Sequence, residues 1–477
     1  MMVQETNINI IEFIEQRRST LRLFFVKIKA VMRIIILSLL LVIVLPFGAF
    51  AQKCNSDFLG TKTLYKSPGP RYTPAPKGYE PVFINHVGRH GARHLTKDVR
   101  STLAYSLLFK ADSLNALTAK GEQLMQMVIA LQKIEKGNTK FISAEGKDEL
   151  RSLGERMYLN YPNVFKGNLN LDVAITKEIR TRQSADAFLV GLNGKLKDTV
   201  SATFHNDDVA LRFYDLSPAY KIFENSMDSD AAMLAIEKAD DFKVINFSVA
   251  HRIFTAGFLK QLDEDQQSKF VADIFGFATI VYSLKTEIRG GGDESRNLNF
   301  ESFFTCNELQ KLGEMDSMNE DLKKGPGKNN DGIQVRVAVP LLVDFLNTTD
   351  EFIKTGKNDA RLRFAHAETI APFAALLQIA SADKPIRNIG KSKTNWNASA
   401  VIPLSANVQW VFYKRKGTSG YLVKVLLNEQ EEKIDGLNSK SFPYYQWRDL
   451  RAFYLKKLER LKVKTSDDMS LYLQNLQ

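Results

Sequence analysis

Cysteine is almost missing from this chain. Cys54 and Cys306 are the only two in 477 residues, so at most one disulfide can form in an oxidising compartment. No internal repeat or low-complexity block is present. A basic tail, an RNA-binding signature and zinc-finger spacing are absent as well, which sets nucleic acid aside as a partner. The charge is basic all the same, with 65 Lys and Arg against 54 Asp and Glu. An excess of that size is commonly a solvated surface, and it also suits polyanionic substrates.

What is there begins with an apolar run. Ile34 to Leu45 follows Arg33 and leads into Pro46, Gly48 and the small-residue pattern Ala49-Phe50-Ala51. That order is the three-part signature of a secretory signal peptide, with cleavage expected after Ala51. A membrane anchor is the rival, but an anchor needs ~20 apolar residues, and Pro46 with Gly48 would break its last turn. The residues ahead of Met32 are unusual for a signal peptide, so Met32 is a candidate start. The leader carries six Lys and Arg and three Asp and Glu, leaving 59 against 51 from Gln52 to Gln477, a net charge of +8. Cys54 stands three residues beyond the cleavage point rather than directly behind it, which argues against lipid attachment. No stable membrane anchor is expected after cleavage, and the expected destination is secretion, a bacterial periplasm or the cell surface. A monomer is expected.

The remaining length allows two or three structural units and a large core. Residues 54–81, rich in Pro, Gly and Lys, read as an extended lead-in. Pro81 to Val87 reads as a short buried strand ended by Gly88 and Gly91. Helical periodicity follows at Leu103–Lys110, Gly121–Lys136 and Gly146–Tyr161. Leu171–Thr176 returns as a strand and Ser184–Leu192 as a helix. Further on come a helix over Val337–Leu346, a strand over Arg361–His366 and a helix from Pro372. Val408–Tyr413 and Tyr421–Leu427 form a hairpin, and Tyr444–Leu461 a last amphipathic helix. Strands separated by helices predict an α/β fold with a mostly parallel sheet flanked by helices. The stretch from Pro218 to Asn330 is helical and charged and closes in a loop rich in Gly and Asn. It reads as an inserted, mainly α-helical cap. The predicted organisation is a leader over 1–51, core over 52–217, cap over 218–330 and core again over 331–477.

Of six histidines, three stand at His86, His90 and His94. Spacing of four invites a metal site on one helix face. Gly88 and Gly91, directly after a strand, take that helix away, and no Glu accompanies the pair as a water-activating base. No metal or other cofactor is expected. The alternative is a phosphate-binding turn. In open α/β sheets ligands bind beyond the carboxyl ends of strands, which is where Arg89, His90 and Arg93 would be delivered. Gly91 would let the backbone approach an oxyanion closely. Two guanidiniums can clamp phosphate oxygens and neutralise them, and the imidazole between them can attack phosphorus to form a phosphohistidine.

Arg89-His90-Gly91-Ala92-Arg93 resembles the signature turn of the histidine acid phosphatases. Three more segments agree in order. Ile142-Ser143-Ala144-Glu145-Gly146, running to Tyr161-Pro162, is similar to a helix these enzymes carry, and no catalysis is assigned to it. Arg180, eight residues before Phe188, resembles the family's third phosphate-binding arginine, although a surface residue capping the next helix would look the same. Arg182 is a weaker substitute. Arg363-Phe364-Ala365-His366-Ala367-Glu368-Thr369 departs from the common pattern, which places Asp immediately after the histidine. His-Ala-Glu instead resembles one branch, the multiple inositol polyphosphate phosphatases. The resemblance implies a Rossmann-like core, His90 as nucleophile, Arg89, Arg93, Arg180 and His366 on the phosphate, and Glu368 as proton donor to the leaving alkoxide. An extended pair at i and i+2 would point His366 and Glu368 the same way. A helix N-terminus that favours Glu368 through its dipole is compatible with that role.

Gly60 to Tyr65, Gly325-Pro326-Gly327 and the terminal hairpin resemble the same branch. His94, where the family often has Tyr, reads as buried or solvated filler. The implied substrate is a small polyphosphate such as phytate, with Lys221, Lys243, Arg252 and Arg289 as candidate cap cations for phosphates not being cleaved. Other readings stay open: an acid phosphatase of other phosphomonoesters, a phosphomutase-like enzyme, or a non-catalytic polyanion-binding protein on the same fold.

Overall fold

Near-continuous apolar runs such as Phe83-Ile84 and Val408 to Tyr413 are the mark of strands covered on both faces. The computed structural model describes residues 54–69, 72–166, 169–194, 202–226, 240–292, 298–386 and 396–477. The chain divides into residues 1–54, of which only Cys54 is described, and residues 55–477. The expected leader and its cleavage point therefore lie outside the described residues. Cys54 and Cys306 are both disulfide-bonded. No helix among the described residues is long and apolar enough to cross a membrane.

Eight strands form one mixed sheet: β1 (Tyr79–Arg89), β2 (Leu171–Ile175), β3 (Ala202–Asn206), β4 (Ala360–Ala365), β5 (Asn407–Arg415), β6 (Tyr421–Leu427), β7 (Gln430–Glu431) and β8 (Tyr444–Gln446). Their order is β3-β2-β4-β1-β5-β6-β7, with β8 also on β6. The four strands from β3 to β1 run parallel, and β5 turns antiparallel on β1. The α/β expectation holds. Edge strand β3 went unread, because Ala202–Asn206 is only partly covered and shows no apolar run. The expected last helix begins later than its periodicity suggested, since Tyr444–Gln446 pairs with β6 as a strand.

The helices that matter here are α1 (Leu103–Ser113), α2 (Ala119–Glu135), α3 (Ala144–Asn160), α4 (Ile179–Asn193), α5 (Asp240–Ile253), α6 (Glu264–Ile280), α7 (Cys306–Lys324), α8 (Val339–Thr355), α9 (Ala367–Leu376) and α10 (Trp447–Arg460). Side chains alternate across the sheet. Phe83, Val87, Val408, Trp410 and Phe412 meet α8, α9 and α10 on one face. Ile84, Val411 and Tyr413 meet Leu150, Leu153 and Phe188 of α3 and α4 on the other. Between Pro218 and Lys324 the described elements are helices and helical turns, with no strand of the sheet. α1 and α2, which precede that stretch in sequence, pack against α5 and α6, and Thr118 N–H bonds the Ile253 carbonyl at 2.9 Å.

Two expectations need correction. The lead-in is not simply extended: Ser56–Lys62 coils into a 3₁₀ turn because Phe58 and Leu59 are buried. The helix expected to begin at Pro372 begins at Ala367, with Pro372 inside it. A proline there removes a backbone donor at a cost of about 3 kcal/mol or more. Burial of all nine other-than-Glu368 residues of α9 outweighs that cost.

A buried polar knot ties β1, β4 and α8 together. Arg363 is fully buried; its Nε donates to Asp344 at 2.6 Å and its Nη1 to Asn85 Oδ1 at 2.5 Å. Asn85 Nδ2 in turn donates to the Phe345 carbonyl at 3.0 Å. Replacing Arg363 by Ala should destabilise the fold by about 3–5 kcal/mol, as expected when one partner of a buried pair is removed. Urea unfolding would check this, and a loss below about 1 kcal/mol would deny the knot its role.

Candidate active site

β1, β4 and β2 lie side by side and parallel, so their carboxyl ends open at one place, where the strand order departs from sequence order. β1 ends at Arg89 and hands over to His90. That turn is stitched down by its backbone: His90 N–H to the Ala365 carbonyl at 2.9 Å, Arg89 N–H to Ala406 at 2.7 Å, and Ser405 N–H to the His90 carbonyl at 3.1 Å. Glycine is required at Gly91 for a reason other than the one expected. A Cβ there would lie 2.6 Å from the Gly146 carbonyl, and one on Gly146 would lie 2.0 Å from the Ala92 carbonyl. Turn and helix α3 touch backbone to backbone, which only glycine allows.

Helix α3, to which no chemistry was assigned, also supplies Glu149. Its carboxylate accepts from Ala92 N–H at 2.9 Å, Tyr65 N–H at 2.7 Å and the Ser405 hydroxyl at 2.8 Å. Three chain segments around the turn at His90 thus converge on one acid. Burial pushes that carboxyl up to about 7, against the pull of those three donors and of Arg89.

His90 is buried, with Nδ1 2.9 Å from its neighbour's carbonyl, Gly91 O. A carbonyl only accepts, so Nδ1 carries the proton and Nε2 keeps a lone pair. Burial, then the charges of Arg89 and Arg93, hold the ring well below its usual basicity, hence neutral. His366 stands beside it, ring centroids 5.6 Å apart and edge to face. Arg180 Nη2 approaches His366 Nδ1 at 3.2 Å, and His366 Nε2 lies 3.0 Å from Thr176 Oγ1. Guanidinium only donates, which assigns the His366 proton to Nε2. Burial and then Arg180 bring its pKa down to about 3. To bond a phosphate oxygen, His366 would have to turn its Nε2–H away from Thr176, or move the proton to Nδ1 and give up the bond from Arg180.

The three arginines gather around these rings. Arg89 Nη1 is anchored on the carbonyls of Thr61 at 2.8 Å and Ile402 at 2.5 Å, and Arg93 Nη1 on that of His94 at 2.8 Å. Arg180 is held by Glu178 at 2.7 Å, and Glu178 is shared with Arg212 at 2.8 Å. Arg180 is therefore not a surface cap. Arg182 is: it pairs with Asp186 in solvent and lies over Phe204. Burial, then Arg89 and Arg180, bring the Arg93 pKa down to about 10. Arg89 Nε and Arg180 Nε are buried with no hydrogen-bond partner among the described residues. Such donors are costly unless something satisfies them, and phosphate oxygens can.

Glu368 comes to the same place from a helix N-terminus, one of the two settings its segment allowed, and not from an extended pair. His366 is extended, φ −133° and ψ 172°, but Ala367 already begins α9. Glu368 therefore sits in the first turn of a helix, not two residues along a strand. Its carboxylate is bonded by Lys324 Nζ at 3.0 Å, the last residue of α7, which also holds Glu320 at 2.7 Å. Burial pushes the Glu368 carboxyl up, but Lys324 and His366 outweigh it and leave it well below the usual carboxylate range.

The remaining expected residues scatter. His86 is fully buried between the rings of Phe188 and Phe364, both centroids 5.6 Å away. His94 is buried too and faces Glu135 at 3.4 Å and Glu287 at 3.8 Å. The three histidines of the spaced motif thus point to three different surroundings. Among the cap cations, Arg252 is committed to Glu308 at 2.8 Å and Lys243 to Glu264 at 3.0 Å. Lys221 and Arg289 are exposed, and Arg289 Nε bonds its own helix at Lys285 O. The cations beside the arginines are instead Lys324 and Lys62. Burial, then the charge of Arg93, bring Lys62 down to about 8. Both lie in or beside segments whose likeness was noted, Gly60 to Tyr65 and Gly325 to Gly327, but nothing in a linear sequence shows that they face the catalytic turn.

Residues 82–428 match the histidine phosphatase superfamily (branch 2), so the chain belongs to that family and is a phosphatase. It is similar to multiple inositol polyphosphate phosphatase 1 of Gallus gallus, 22% identical over 439 residues, spanning 85% of this chain and 91% of the relative. Among solved structures, multiple inositol polyphosphate phosphatase of Bifidobacterium longum in complex with inositol hexasulfate superposes with a TM-score of 0.74. It is 21% identical and spans 83% of this chain and 97% of that one. The phytase of D. castellii superposes at 0.59, 16% identical over 90% and 94% of the two chains. At these identities the structures establish the shared fold.

The raised Glu149 sets a pH dependence. Its folded pKa of about 7 lies above the unfolded value of about 4.3, so folding favours the protonated form. The associated stability is full below the unfolded pKa and is lost as pH rises through about 7, a difference on the order of 3 kcal/mol. Glu149→Gln should therefore flatten the fall in melting temperature between pH 5 and pH 8. Parallel curves for the two proteins would contradict this.

Proposed function

We propose that this phosphatase hydrolyses inositol polyphosphates such as phytate through a covalent phosphohistidine on His90, with Glu368 as proton donor. The observation that carries this reading is the lone pair on His90 Nε2 among three guanidiniums, two of which keep a buried, unpartnered Nε–H. Arg89, Arg93 and Arg180 neutralise the phosphate so that a neutral nucleophile can approach a dianion. His90 Nε2 forms the bond to phosphorus as the ester bond to the alkoxide breaks, and Glu368 gives that oxygen its proton. In the second step water attacks the phosphohistidine and Glu368 takes its proton.

The substrate class is supported by the two inositol polyphosphate phosphatases to which the chain is similar, by His366-Ala367-Glu368, and by Lys62 and Lys324 beside the arginines. The apolar run and Ala49-Phe50-Ala51 support export, to the periplasm or beyond the cell. Phosphate release from phytate by the mature protein and by His90→Ala, each with and without chelator, tests the chemistry. Wild type should release phosphate at the same rate with chelator, and the variant should fall by several orders of magnitude. Unaltered release by the variant would rule out His90 as nucleophile. Salt supplies a further prediction. Raising ionic strength should increase KM for phytate more than for an aryl monophosphate, because more charge is screened. Equal salt slopes would reject a site built for polyanions.

A further inference from the structure

Lys324 has no part in the chemistry so far, yet it touches the proposed proton donor. Its ammonium lies 3.0 Å from Glu368 Oε1 and 2.7 and 2.9 Å from the two Glu320 oxygens, with only 12% of its side chain exposed. Burial works against its charge, but Glu320 and Glu368 hold its pKa well up, so it is a permanent cation. A carboxylate paired in this way cannot donate a proton. The proposed reaction needs Glu368 protonated, and the ground-state geometry keeps it ionised.

Other groups that face Glu368 do not resolve this. Arg89 and Arg93, from the turn after β1, favour the carboxylate. His366 does so from the N-cap of α9. Tyr214 and Tyr220 are neutral, each held above its usual pKa by burial and then by nearby charge. Burial opposes ionisation but is outweighed, and the Glu320 and Asp316 carboxylates that also face Lys324 share its charge. A group that drew Lys324 away would also have to bring negative charge. A phosphate ester next to the one being cleaved does both.

Resting on the reading of Glu368 as donor, we propose that Lys324 makes proton donation depend on a second phosphate. Without one, its ammonium holds Glu368 as carboxylate. With one, the ammonium turns to the neighbouring phosphate, and Glu368 takes a proton from solvent. That proton then goes to the leaving oxygen, which keeps the electron pair of the breaking P–O bond while His90 Nε2 bonds to phosphorus. Lys324 is thereby a specificity residue for substrates carrying neighbouring phosphates.

The test compares kcat against pH, which reports ionisations in the enzyme–substrate complex, for phytate and for inositol monophosphate. In wild type the alkaline limb for phytate should lie at higher pH than that for the monophosphate. Lys324→Met, which keeps length and loses charge, should move the monophosphate limb upward and leave the two limbs together. KM for phytate should rise about tenfold, the scale of one lost charge-assisted contact. Lys324→Arg should restore the wild-type separation. Glu320→Gln removes the competing carboxylate and should move the monophosphate limb downward, a shift opposite in sign that does not depend on the Met variant folding. Coincident limbs in wild type, or limbs unmoved in both Lys324→Met and Glu320→Gln, would overturn the proposal. If wild type released phosphate from neither substrate, the reading of the enzyme itself would fall, and this one with it.

Discussion

Arg89, Arg93 and Arg180 repel one another, and much of the surrounding structure exists to hold them together. Like charges at close range in a region shielded from water interact strongly, and burial, then the charges of Arg89 and Arg180, lowers the basicity of Arg93. The neighbours respond in two ways. Carbonyls of Thr61, Ile402 and His94 take up guanidinium hydrogens. Carboxylates on other elements face the cluster, Glu178 on Arg180 and Glu368 and Glu320 through Lys324. The same crowding keeps His90 and His366 neutral. A phosphate dianion relieves the repulsion and satisfies the two unpartnered Nε–H groups at once, which makes anion binding the natural resolution of the site.

Holding such a cluster requires a frame that does not yield. The frame is the parallel trio β1, β4 and β2, buried on both faces and pinned by Arg363 between β1, β4 and α8. From above, α3 presses Gly146 against the turn while Glu149 grips Ala92, Tyr65 and Ser405. A helix whose apolar periodicity marks it as packing is, in the fold, the clamp on the turn that carries His90. Its acid is legible as a residue and illegible as a role, because all three donors are distant or unremarkable in sequence.

The legible part of the site is the part that is contiguous. Arg89, His90 and Arg93 share one turn, so residue types and spacing declare them together. His366 and Glu368 are likewise close in sequence, but residue types left an extended pair and a helix N-terminus both open, and α9, beginning one residue after His366, decides for the helix. The cap cations show the limit more sharply. Arg252 and Lys243 are as basic as any residue in the chain, yet α7 and α6 supply Glu308 and Glu264 to neutralise them. Lys62 and Lys324 carry no distinguishing mark in sequence, yet they end beside the arginines.

By itself the sequence determined the class of fold, the family and the strand-end turn that carries Arg89, His90 and Arg93. These depend on local periodicity and short motifs, which survive in one dimension. Only the tertiary structure decided the tautomers of His90 and His366, the place of Arg180 among buried partners, and the pairing of Glu368 with Lys324. Each of those depends on which groups from distant segments share a few ångströms of low-dielectric space, where charge and hydrogen bonding select one arrangement from several that the residues alone would permit.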